Sequence, residues 1–261
     1  MKCKICDSNS EKIFEKTVLQ KYKSSYYRCS NCFFVQTDEP IWLKEAYESA
    51  ITSLDIGLAN RNIILRDEIR RIIDNHFPKA KIFLDYAGGY GMFVRLMRDI
   101  GFDFYRQDDY CDNIFANYFD LTDVEINQFD IVTGFEVLEH FNNPLVEIEK
   151  IFSYSETAIF STELSPELNK DIEKWWYITP ETGQHIAFYT KKSMQIIAKK
   201  FGKNYYCRNG NIHIFTPLKI NDFQTKRKKY FGIKMKYSDV KIKRESLTSK
   251  DYEYILSILN K

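Results

Sequence analysis

A glycine-rich turn between an apolar run and an amphipathic segment constrains the fold of this chain more than any other sequence feature. Residues 82–86 read Ile-Phe-Leu-Asp-Tyr, and Ala-Gly-Gly-Tyr-Gly leads from them into a helical pattern over Met92–Ile100. Short apolar runs are typical of buried strands, and glycines let the backbone turn sharply and approach a ligand closely. The segment therefore predicts a strand, a tight binding turn and a helix in succession.

Strand and helix patterns alternate along the rest of the chain. A helical pattern over Trp42–Phe77, with its isoleucines expected on one face, precedes the first strand, and a helix is predicted over Lys191–Phe201. Further strands are predicted at Phe104–Gln107, Ile131–Phe135, Thr157–Thr162, Tyr205–Arg208 and Ile212–Phe215. The last two flank Asn-Gly, a dipeptide typical of hairpins. The alternation predicts an α/β fold: a Rossmann-like doubly wound, mostly parallel sheet that ends in an antiparallel hairpin.

Four cysteines stand in two C-x2-C pairs near the N-terminus, at positions Cys3, Cys6, Cys29 and Cys32. Two thiolates on one tight turn can bind the same ion, and two such pairs complete a tetrahedral zinc site. Because four thiolates leave no coordination position open, we expect a structural zinc ribbon. A redox-active pair is the alternative, although no thioredoxin-like pattern surrounds either pair. Cys111 and Cys207 are expected to be ordinary half-buried thiols.

Carboxylates follow the first two predicted strands of the sheet. Asp85 stands at the end of the first strand, where it could receive the ammonium group of a methionine moiety directly or through water. Asp108, the first acid after the second strand, could accept the hydroxyls of a ribose; capping of a following helix is the alternative. A glycine turn alone fits NAD, FAD and S-adenosylmethionine, but Val94 stands where a dinucleotide fingerprint has its third glycine. The residues therefore favour S-adenosylmethionine.

The glycine turn resembles the D-x-G-x-G-x-G signature of class I S-adenosylmethionine-dependent methyltransferases, with Ala87 in the place of the first glycine. A methyl side chain at that position narrows the turn. The resemblance implies that the cofactor binds to the turn and to the acids at the strand ends. The implied cofactor-binding residues are Asp85, Ala87, Gly88, Gly89, Gly91 and Asp108.

Residues 129–144, FDIVTGFEVLEHFNNP, resemble the strand and loop that line the sulfonium side of the cofactor in many small-molecule methyltransferases. The resemblance implies that Phe135, Glu136 and Val137 contact the cofactor and that His140 lies towards the acceptor. His140 is then either a candidate base or a helix-start residue fixed by hydrogen bonds.

An aromatic stretch after the Thr157–Thr162 strand, WWYITPETGQHIAFY, is expected to form the acceptor side. Aromatic walls exclude water and stack on sugar or base rings, and polar side chains orient a ligand; packing alone is the alternative. The candidate substrate residues are Trp175, Trp176, Tyr177, Gln184 and His185. Because an imidazole titrates near neutral pH, His185 is the first candidate for the base that an O-acceptor needs, and His140 is the second. His76 and His213 are expected to be structural.

With the cysteine pairs, the aromatic stretch resembles zinc-ribbon methyltransferases found among bacterial polysaccharide and nucleotide-sugar modification functions, over Cys3 to about Pro217. The resemblance implies O-methylation of a sugar hydroxyl. C- or N-methylation of a related small molecule is a close alternative. An RNA-binding or RNA-modifying zinc-ribbon protein is disfavoured because dense basic runs occur only near the C-terminus. An NAD-dependent oxidoreductase is disfavoured by the missing glycine and the terminal hairpin.

Length and charge set the remaining expectations. The 261 residues carry a formal net charge of +2, which suits an α/β domain with an accessory module and does not indicate a dedicated nucleic-acid binder. We expect a zinc ribbon at 1–40, a methyltransferase domain with a helical lead-in at 41–218, and a basic extension at 219–261. That extension contains 12 lysines and arginines and 5 acidic residues. This basic surplus is expected to form either a solvated face or a surface for an anionic partner. Without a signal-peptide pattern or a long apolar run, we expect a cytoplasmic protein with no membrane span.

Overall fold

The computed structural model describes residues 1–48, 51–166, 171–220, 229–230, 233–234 and 242–260. The chain forms two compact units. We call them the cysteine unit, Met1–Leu54 with Gly134–Leu218, and the glycine unit, Asp55–Thr133 with Lys219–Lys261. The three-part division predicted from the sequence, at 1–40, 41–218 and 219–261, stays a prediction. Much of the predicted basic extension, namely 221–228, 231–232 and 235–241, lies outside the described residues.

Strands and helices alternate along the chain after an N-terminal hairpin. The strands are β1 Ser10–Val18, β2 Tyr22–Cys29, β3 Val35–Thr37, β4 Ile82–Tyr86, β5 Asp103–Gln107, β6 Ile131–Phe135, β7 Ala158–Ser161, β8 Ala187–Phe188, β9 Asn204–Arg208, β10 Ile212–Thr216, β11 Lys229–Tyr230 and β12 Ile233–Lys234. The helices are α1 Leu43–Ala46, α2 Leu58–His76, α3 Met92–Asp99, α4 Pro144–Tyr154, α5 Lys191–Lys200 and α6 Thr248–Leu259. Short 3-10 turns lie at Leu121–Asp123, Leu138–His140, Ile172–Lys174 and Trp176–Ile178.

Six strands form a mostly parallel sheet in the order β5-β4-β6-β7-β10-β9. β4 pairs in parallel with β5 and β6, whereas β10 runs antiparallel to β7 and β9. β6 contributes to both units, because the division between the units falls after Thr133. At the tip of the β9–β10 hairpin, Asn209 and Gly210 take left-handed φ values of 56° and 91°, which is why this dipeptide favours the turn. The α/β fold class predicted from the sequence is confirmed.

The helical pattern predicted over Trp42–Phe77 corresponds to two separate helices rather than to one continuous element. α1 ends at Ala46, and α2 begins only at Leu58. In α2, Ile69, Ile72 and Ile73 are buried as expected, but the expectation that Ile63 and Ile64 share that face is wrong, since they are 45% and 58% exposed. The buried face instead continues through Leu65, four residues before Ile69, as helical spacing requires.

In the cysteine unit a second sheet has the order β1-β2-β3-β8, with each neighbouring pair antiparallel. β8 is two residues long and lies near the end of the aromatic stretch, so the N-terminal strands and the predicted acceptor segment share one sheet. They also share an apolar core. Its buried members are Phe14, Tyr26, Val35, Ile172, Tyr177, Ile178 and Phe188.

In the glycine unit the C-terminal helix α6, which the sequence did not predict, is fixed by a buried ion pair. Arg98 of α3 donates from Nε and Nη2 to the two carboxylate oxygens of Asp251, at 2.9 and 2.7 Å. Both side chains are buried, and the Leu247 N–H also donates to the Arg98 carbonyl at 3.1 Å. Among the described residues, none of the helices combines the length and apolar character that crossing a membrane requires.

Candidate functional site

The turn after β4 follows a backbone path that favours glycine. Ala87, Gly89 and Gly91 have left-handed φ values of 55°, 55° and 81°, and Gly91 is the residue that precedes α3. A Cβ on Gly88 would lie 2.8 Å from Cγ of Arg106, closer than such atoms approach. The turn therefore tolerates only a hydrogen at position 88 and holds a strained conformation at Ala87.

Asp85 lies buried at the carboxyl end of β4, directly before this turn. It is 2% exposed, and the Thr133 hydroxyl donates to its Oδ1 at 2.6 Å. Burial raises the pKa of Asp85 to about 7, against a smaller lowering by the Thr133 hydrogen bond. Because a nearby cation favours an ionised carboxylate, this position suits an ammonium group.

Asp108, at the end of β5, is tied into the same turn. Its Oδ2 accepts the Gly89 N–H, and its Oδ1 accepts the N–H groups of Tyr110 and Cys111, each at 2.8 Å. No helix follows within the described segment 108–120, so the carboxylate organises a loop rather than a helix terminus. A second lone pair on Oδ2 is still available for a ligand hydroxyl.

Arg106 is a buried residue of this region that the sequence reasoning missed. Its Nε donates to Oδ1 of Asp120 at 2.6 Å, and its guanidinium also donates to the carbonyls of Gly89 and Cys111. Arg106 therefore links the glycine turn to the loop after β5. The only signal in the sequence is a charged residue within a strand pattern, which does not indicate that its partners are carbonyl groups.

In the cysteine unit, β6 leads into Phe135, Glu136 and Val137, of which Phe135 is half-buried and Val137 is buried. Glu136 has a left-handed φ of 50°, unusual for a residue other than glycine. Ser161 donates from its hydroxyl to Glu136 Oε1 at 2.6 Å, and Tyr177 donates to Oε2 at 3.0 Å. These bonds hold the carboxylate in place and help to stabilise the strained backbone.

Glu139, which the sequence analysis did not single out, is fully buried next to this carboxylate. Its Oε1 also lies 2.5 Å from the Tyr177 hydroxyl, so the two glutamates share the single hydrogen of that hydroxyl. Burial, together with the nearby Glu136, raises the pKa of Glu139 to about 8. The only sequence feature that pointed to Glu139 was its position in the VLEH segment. The sequence did not reveal that Tyr177 contacts both glutamates.

The two candidate bases, His140 and His185, lie beside each other in the cysteine unit, with ring centroids 5.2 Å apart. His185 Nδ1 is 2.6 Å from the Tyr177 carbonyl, and His140 Nδ1 is 2.8 Å from the Tyr47 hydroxyl. Because a carbonyl only accepts, Nδ1 of His185 carries the hydrogen and Nε2 keeps a lone pair. Burial lowers the pKa of both imidazoles, which keeps them neutral at neutral pH.

The five predicted substrate residues differ in what their side chains contact. Trp175 packs on Phe188, Tyr177 is buried, and Gln184 is buried with its Nε2 donating to the Ala46 carbonyl at 2.9 Å. Trp176 is 70% exposed, and His185 is half-buried. The first three side chains therefore pack within the cysteine unit, while Trp176 is exposed and His185 is partly exposed.

The four N-terminal cysteines converge, with all four Sγ atoms within 4.8 Å of one another. Cys3 and Cys32 are 3.5 Å apart at sulfur, and Cys6 and Cys29 are 3.4 Å apart. Backbone N–H groups of three residues, Ile5, Asn31 and Cys32, point to sulfur atoms at 3.4 Å. The arrangement fits four thiolate ligands around one Zn²⁺ at bond lengths of about 2.3 Å. Cys111 and Cys207 are half-buried, as expected.

Residues 58–207 match the family model described as a methyltransferase domain, which spans more than half of the 261-residue chain. No curated protein matches the sequence. The structure is similar to the mitomycin 7-O-methyltransferase MmcR, at 12% identity over 58% of this chain and 53% of that one, with a TM-score of 0.41. The chain thus spans about half the length of MmcR.

Two further solved structures are similar to this one. One is the magnesium protoporphyrin IX methyltransferase of Synechocystis PCC 6803 with bound SAH, at 13% identity over 66% of this chain and 90% of that one, with a TM-score of 0.43. The other is DesVI of Streptomyces venezuelae, at 12% identity over 67% of this chain and 98% of that one, with a TM-score of 0.44.

Proposed function

Because this chain belongs to the methyltransferase domain family, we propose that it transfers the methyl group of S-adenosylmethionine to a hydroxyl of a small sugar-derived acceptor. The observation that carries the cofactor assignment is a buried strand-end carboxyl, Asp85, directly before a glycine turn that excludes a side chain at Gly88. A cationic amino acid moiety and close backbone approach both require such a place.

The cofactor-binding residues proposed in the glycine unit have distinct roles. Asp85 receives the ammonium group, and the backbone of Ala87, Gly88, Gly89 and Gly91 follows the methionine part. Asp108 accepts a ribose hydroxyl through Oδ2, which accepts the Gly89 N–H as its other bond. From the family resemblance, the proposed contacts of the cysteine unit with the sulfonium side are Phe135, Glu136 and Val137.

The cofactor supplies an electrophilic methyl group on a sulfonium. This chain must then position the acceptor oxygen in line and accept its proton. His185 is suited to the second task, because its Nδ1 is committed to the Tyr177 carbonyl and its Nε2 lone pair is available. The acceptor oxygen forms its bond to the methyl carbon, the carbon–sulfur bond breaks, and Nε2 takes the proton. His140 is the second candidate for this base.

The proposed acceptor is a sugar of polysaccharide or nucleotide-sugar biosynthesis. Two residues of the cysteine unit, Trp176 (70% exposed) and the half-buried His185, support a ring-shaped polar acceptor. C- or N-methylation of a related small molecule uses the same cofactor and differs in the atom that attacks. The cluster of four cysteines is proposed to hold a structural Zn²⁺, since four thiolates leave no position for a substrate.

Isothermal titration calorimetry tests the cofactor assignment. We expect S-adenosylhomocysteine to bind the purified protein and NADH not to bind. Asp85→Ala should lose that binding, while Asp109→Ala, a matched change at an exposed acid, should keep it. Binding of NADH in place of S-adenosylhomocysteine would overturn the proposal.

Methyl transfer to a panel of nucleotide-activated sugars tests the acceptor and the base. We expect at least one sugar hydroxyl to be methylated, and His185→Ala to lower turnover by about 10²–10⁴-fold with little change in S-adenosylhomocysteine affinity. His76→Ala, at the end of α2, is the matched control and should keep full turnover. Full turnover by His185→Ala would show that this imidazole is not the base.

A further inference from the structure

We propose that Glu139, His140 and His185 form a second metal site, for a divalent transition-metal ion, separate from the four cysteines. One ligand atom from each side chain lies within 4.8 Å of the other two. A carboxylate oxygen and two imidazole nitrogens form a ligand set that transition metals bind well in proteins. Modest side-chain rotation brings ligands at this spacing to the distances of about 3 Å that metal bonds near 2.1 Å require.

An unsatisfied buried oxygen marks the position of the ion. Glu139 is 0% exposed, and its Oε2 has no hydrogen-bond partner among the described residues. A buried polar atom without a partner costs about 1–3 kcal/mol, and more when it is charged. A cation beside Oε2 removes that cost. The other oxygen, Oε1, is already occupied by the Tyr177 hydroxyl.

Each of the three side chains is also held from behind, as metal ligands usually are. The Nδ1–H of His185 is donated to the Tyr177 carbonyl at 2.6 Å, and Nδ1 of His140 lies 2.8 Å from the Tyr47 hydroxyl. Glu139 accepts the Tyr177 hydroxyl at 2.5 Å. Such outer hydrogen bonds fix the ring orientation and leave Nε2 of each histidine as the coordinating atom.

The donor set decides which ions fit. Two imidazoles with one carboxylate favour Zn²⁺, Fe²⁺ or Co²⁺ over Mg²⁺ and Ca²⁺, which prefer oxygen ligands. Three protein ligands leave at least one coordination position open, whereas the four thiolates of the cysteine cluster leave none. The two histidine residues are half-buried, whereas Glu139 is fully buried.

A catalytic consequence follows if the proposed methyl transfer holds, and it rests on that function. An acceptor hydroxyl bound at the open position has its pKa lowered, and its proton passes to solvent water before the oxygen attacks the methyl carbon. His185 then serves as a ligand instead of as the base. The two roles differ in one respect: only the ligand role makes turnover depend on a metal that the cysteine cluster does not hold.

Metal content separates this site from the cysteine cluster. We expect the full chain, loaded with Zn²⁺ and freed of excess, to contain one ion more than each of Glu139→Gln, His140→Ala and His185→Ala, by inductively coupled plasma mass spectrometry. His76→Ala should match the unchanged protein. Equal zinc content in the unchanged protein and all three site variants would overturn the proposal.

Substitution of Co²⁺ for Zn²⁺ provides a spectroscopic probe that also shows whether a variant still has its cysteine site folded. Co²⁺ bound by thiolates shows sulfur-to-metal charge transfer, which the proposed site lacks, so each site variant should keep that band while losing one equivalent of Co²⁺. Tyr47→Phe removes the hydroxyl that lies 2.8 Å from His140 Nδ1 and should weaken Co²⁺ affinity at this site by about 10–100-fold. Unchanged affinity in both Tyr47→Phe and Glu139→Gln would contradict the site.

Failure of this proposal and failure of the proposed function are distinguishable. S-adenosylhomocysteine binding without a second ion leaves the methyltransferase proposal in place and removes the metal site. Binding of a second ion without binding of S-adenosylhomocysteine supports the metal site and removes the methyltransferase proposal. Turnover that survives removal of this ion but is lost in His185→Ala assigns the imidazole as base and removes the catalytic consequence.

Discussion

At the scale of single residues, two of the side chains that follow strands of the central sheet have a backbone conformation that favours glycine. Ala87 and Glu136 have φ values of 55° and 50°, and each directly follows a strand of the central sheet. Strain of this kind persists only where surrounding contacts fix the backbone, and it is concentrated at functional sites. Glu136 has such contacts, to Ser161 and Tyr177, whereas the methyl group of Ala87 has no polar atom with which to make them.

Ala87→Gly should therefore raise stability. Glycine adopts φ near 55° without the clash that alanine has there, and relief of this clash stabilises the folded state by about 1 kcal/mol. This gain exceeds the free energy that is lost because glycine makes the unfolded chain more flexible. Chemical denaturation measures the change. Ala198→Gly, in the interior of α5 with ordinary helical geometry, is the matched control and should lose about 1 kcal/mol. A loss of stability in Ala87→Gly would contradict the strain assigned to this turn.

Asp85 should make the protein without cofactor less stable as the pH rises. Its folded pKa of about 7 lies above the ordinary 3.8, so the stability it provides is complete below pH 3.8 and is lost as pH rises through 7. Asp85→Asn lacks this titration. Between pH 5 and pH 8, the unfolding free energy of the unchanged protein should fall by up to about 3 kcal/mol more than that of the variant.

Thermal unfolding of both proteins at pH 5 and pH 8, without ligand, checks this dependence. If the melting temperatures of the two proteins change equally between pH 5 and pH 8, Asp85 is already ionised in the folded state. S-adenosylhomocysteine binding provides an independent reading, since the amide cannot pair with the ammonium group and should bind more weakly.

The residues of the candidate site divide into those that local patterns reveal and those that folding brings together. Asp85 and Asp108 stand at strand ends that apolar runs mark, so their placement was predictable. Arg106 and Glu139 were missed, because their roles depend on partners 14 and 38 residues away, Asp120 and Tyr177. No single-sequence pattern carries that information.

At the scale of elements, the boundaries predicted from periodicity lie within one residue of the structure for the strands of the central sheet. β4 and β6 match residue for residue, and α3 and α5 end one residue early. The pattern over Trp42–Phe77 fails because helical periodicity does not detect a break between two amphipathic segments. β8 was missed, because a two-residue strand has no period; only its partner β3 defines it.

Helix α6 is held partly by Asp251, whose buried carboxylate pairs with both Arg98 and Arg95 of α3. Asp251→Ala leaves Asp103 as the remaining carboxylate partner of Arg98, so this change should destabilise the protein by up to about 3 kcal/mol and expose α6 amides to hydrogen exchange. Arg98→Met with Asp251→Leu replaces the Arg98–Asp251 pair by apolar side chains and should recover part of that loss. Equal destabilisation in the single and double variants would show that other contacts fix α6.

At the scale of the whole molecule, the cysteine cluster controls more than the N-terminal strands. β1, β2 and β3 share a sheet with β8 and a core with Tyr177 and Ile178, all in the cysteine unit. Loss of the proposed zinc ion would remove the positive charge that offsets repulsion among the thiolates and would free the turns that hold the cysteines. The effect should therefore extend to residues more than a hundred positions away in the sequence.

Zinc removal tests this extension. In Glu139→Gln, where only the cysteine site is proposed to bind an ion, a strong chelator should lower the melting temperature and remove hydrogen-exchange protection from β1, β2, β3 and β8 together. Cys32→Ser should behave in the same way, and Cys111→Ser, in the glycine unit, should not. Intact protection of β8 after verified loss of zinc would refute the shared dependence.

The pairing of β3 with β8 also bears on how such an enzyme can be re-engineered. Val35 and Gln36 of β3 face Phe188 and Ala187 of β8, and β8 begins two residues after His185. A chimera that exchanges only the N-terminal module, or only the aromatic stretch, therefore pairs β3 with a β8 from another protein. It also combines core residues from two different proteins. Grafts that transfer 1–38 together with 172–190 keep the ladder intact, which makes this pair of segments the natural unit of exchange.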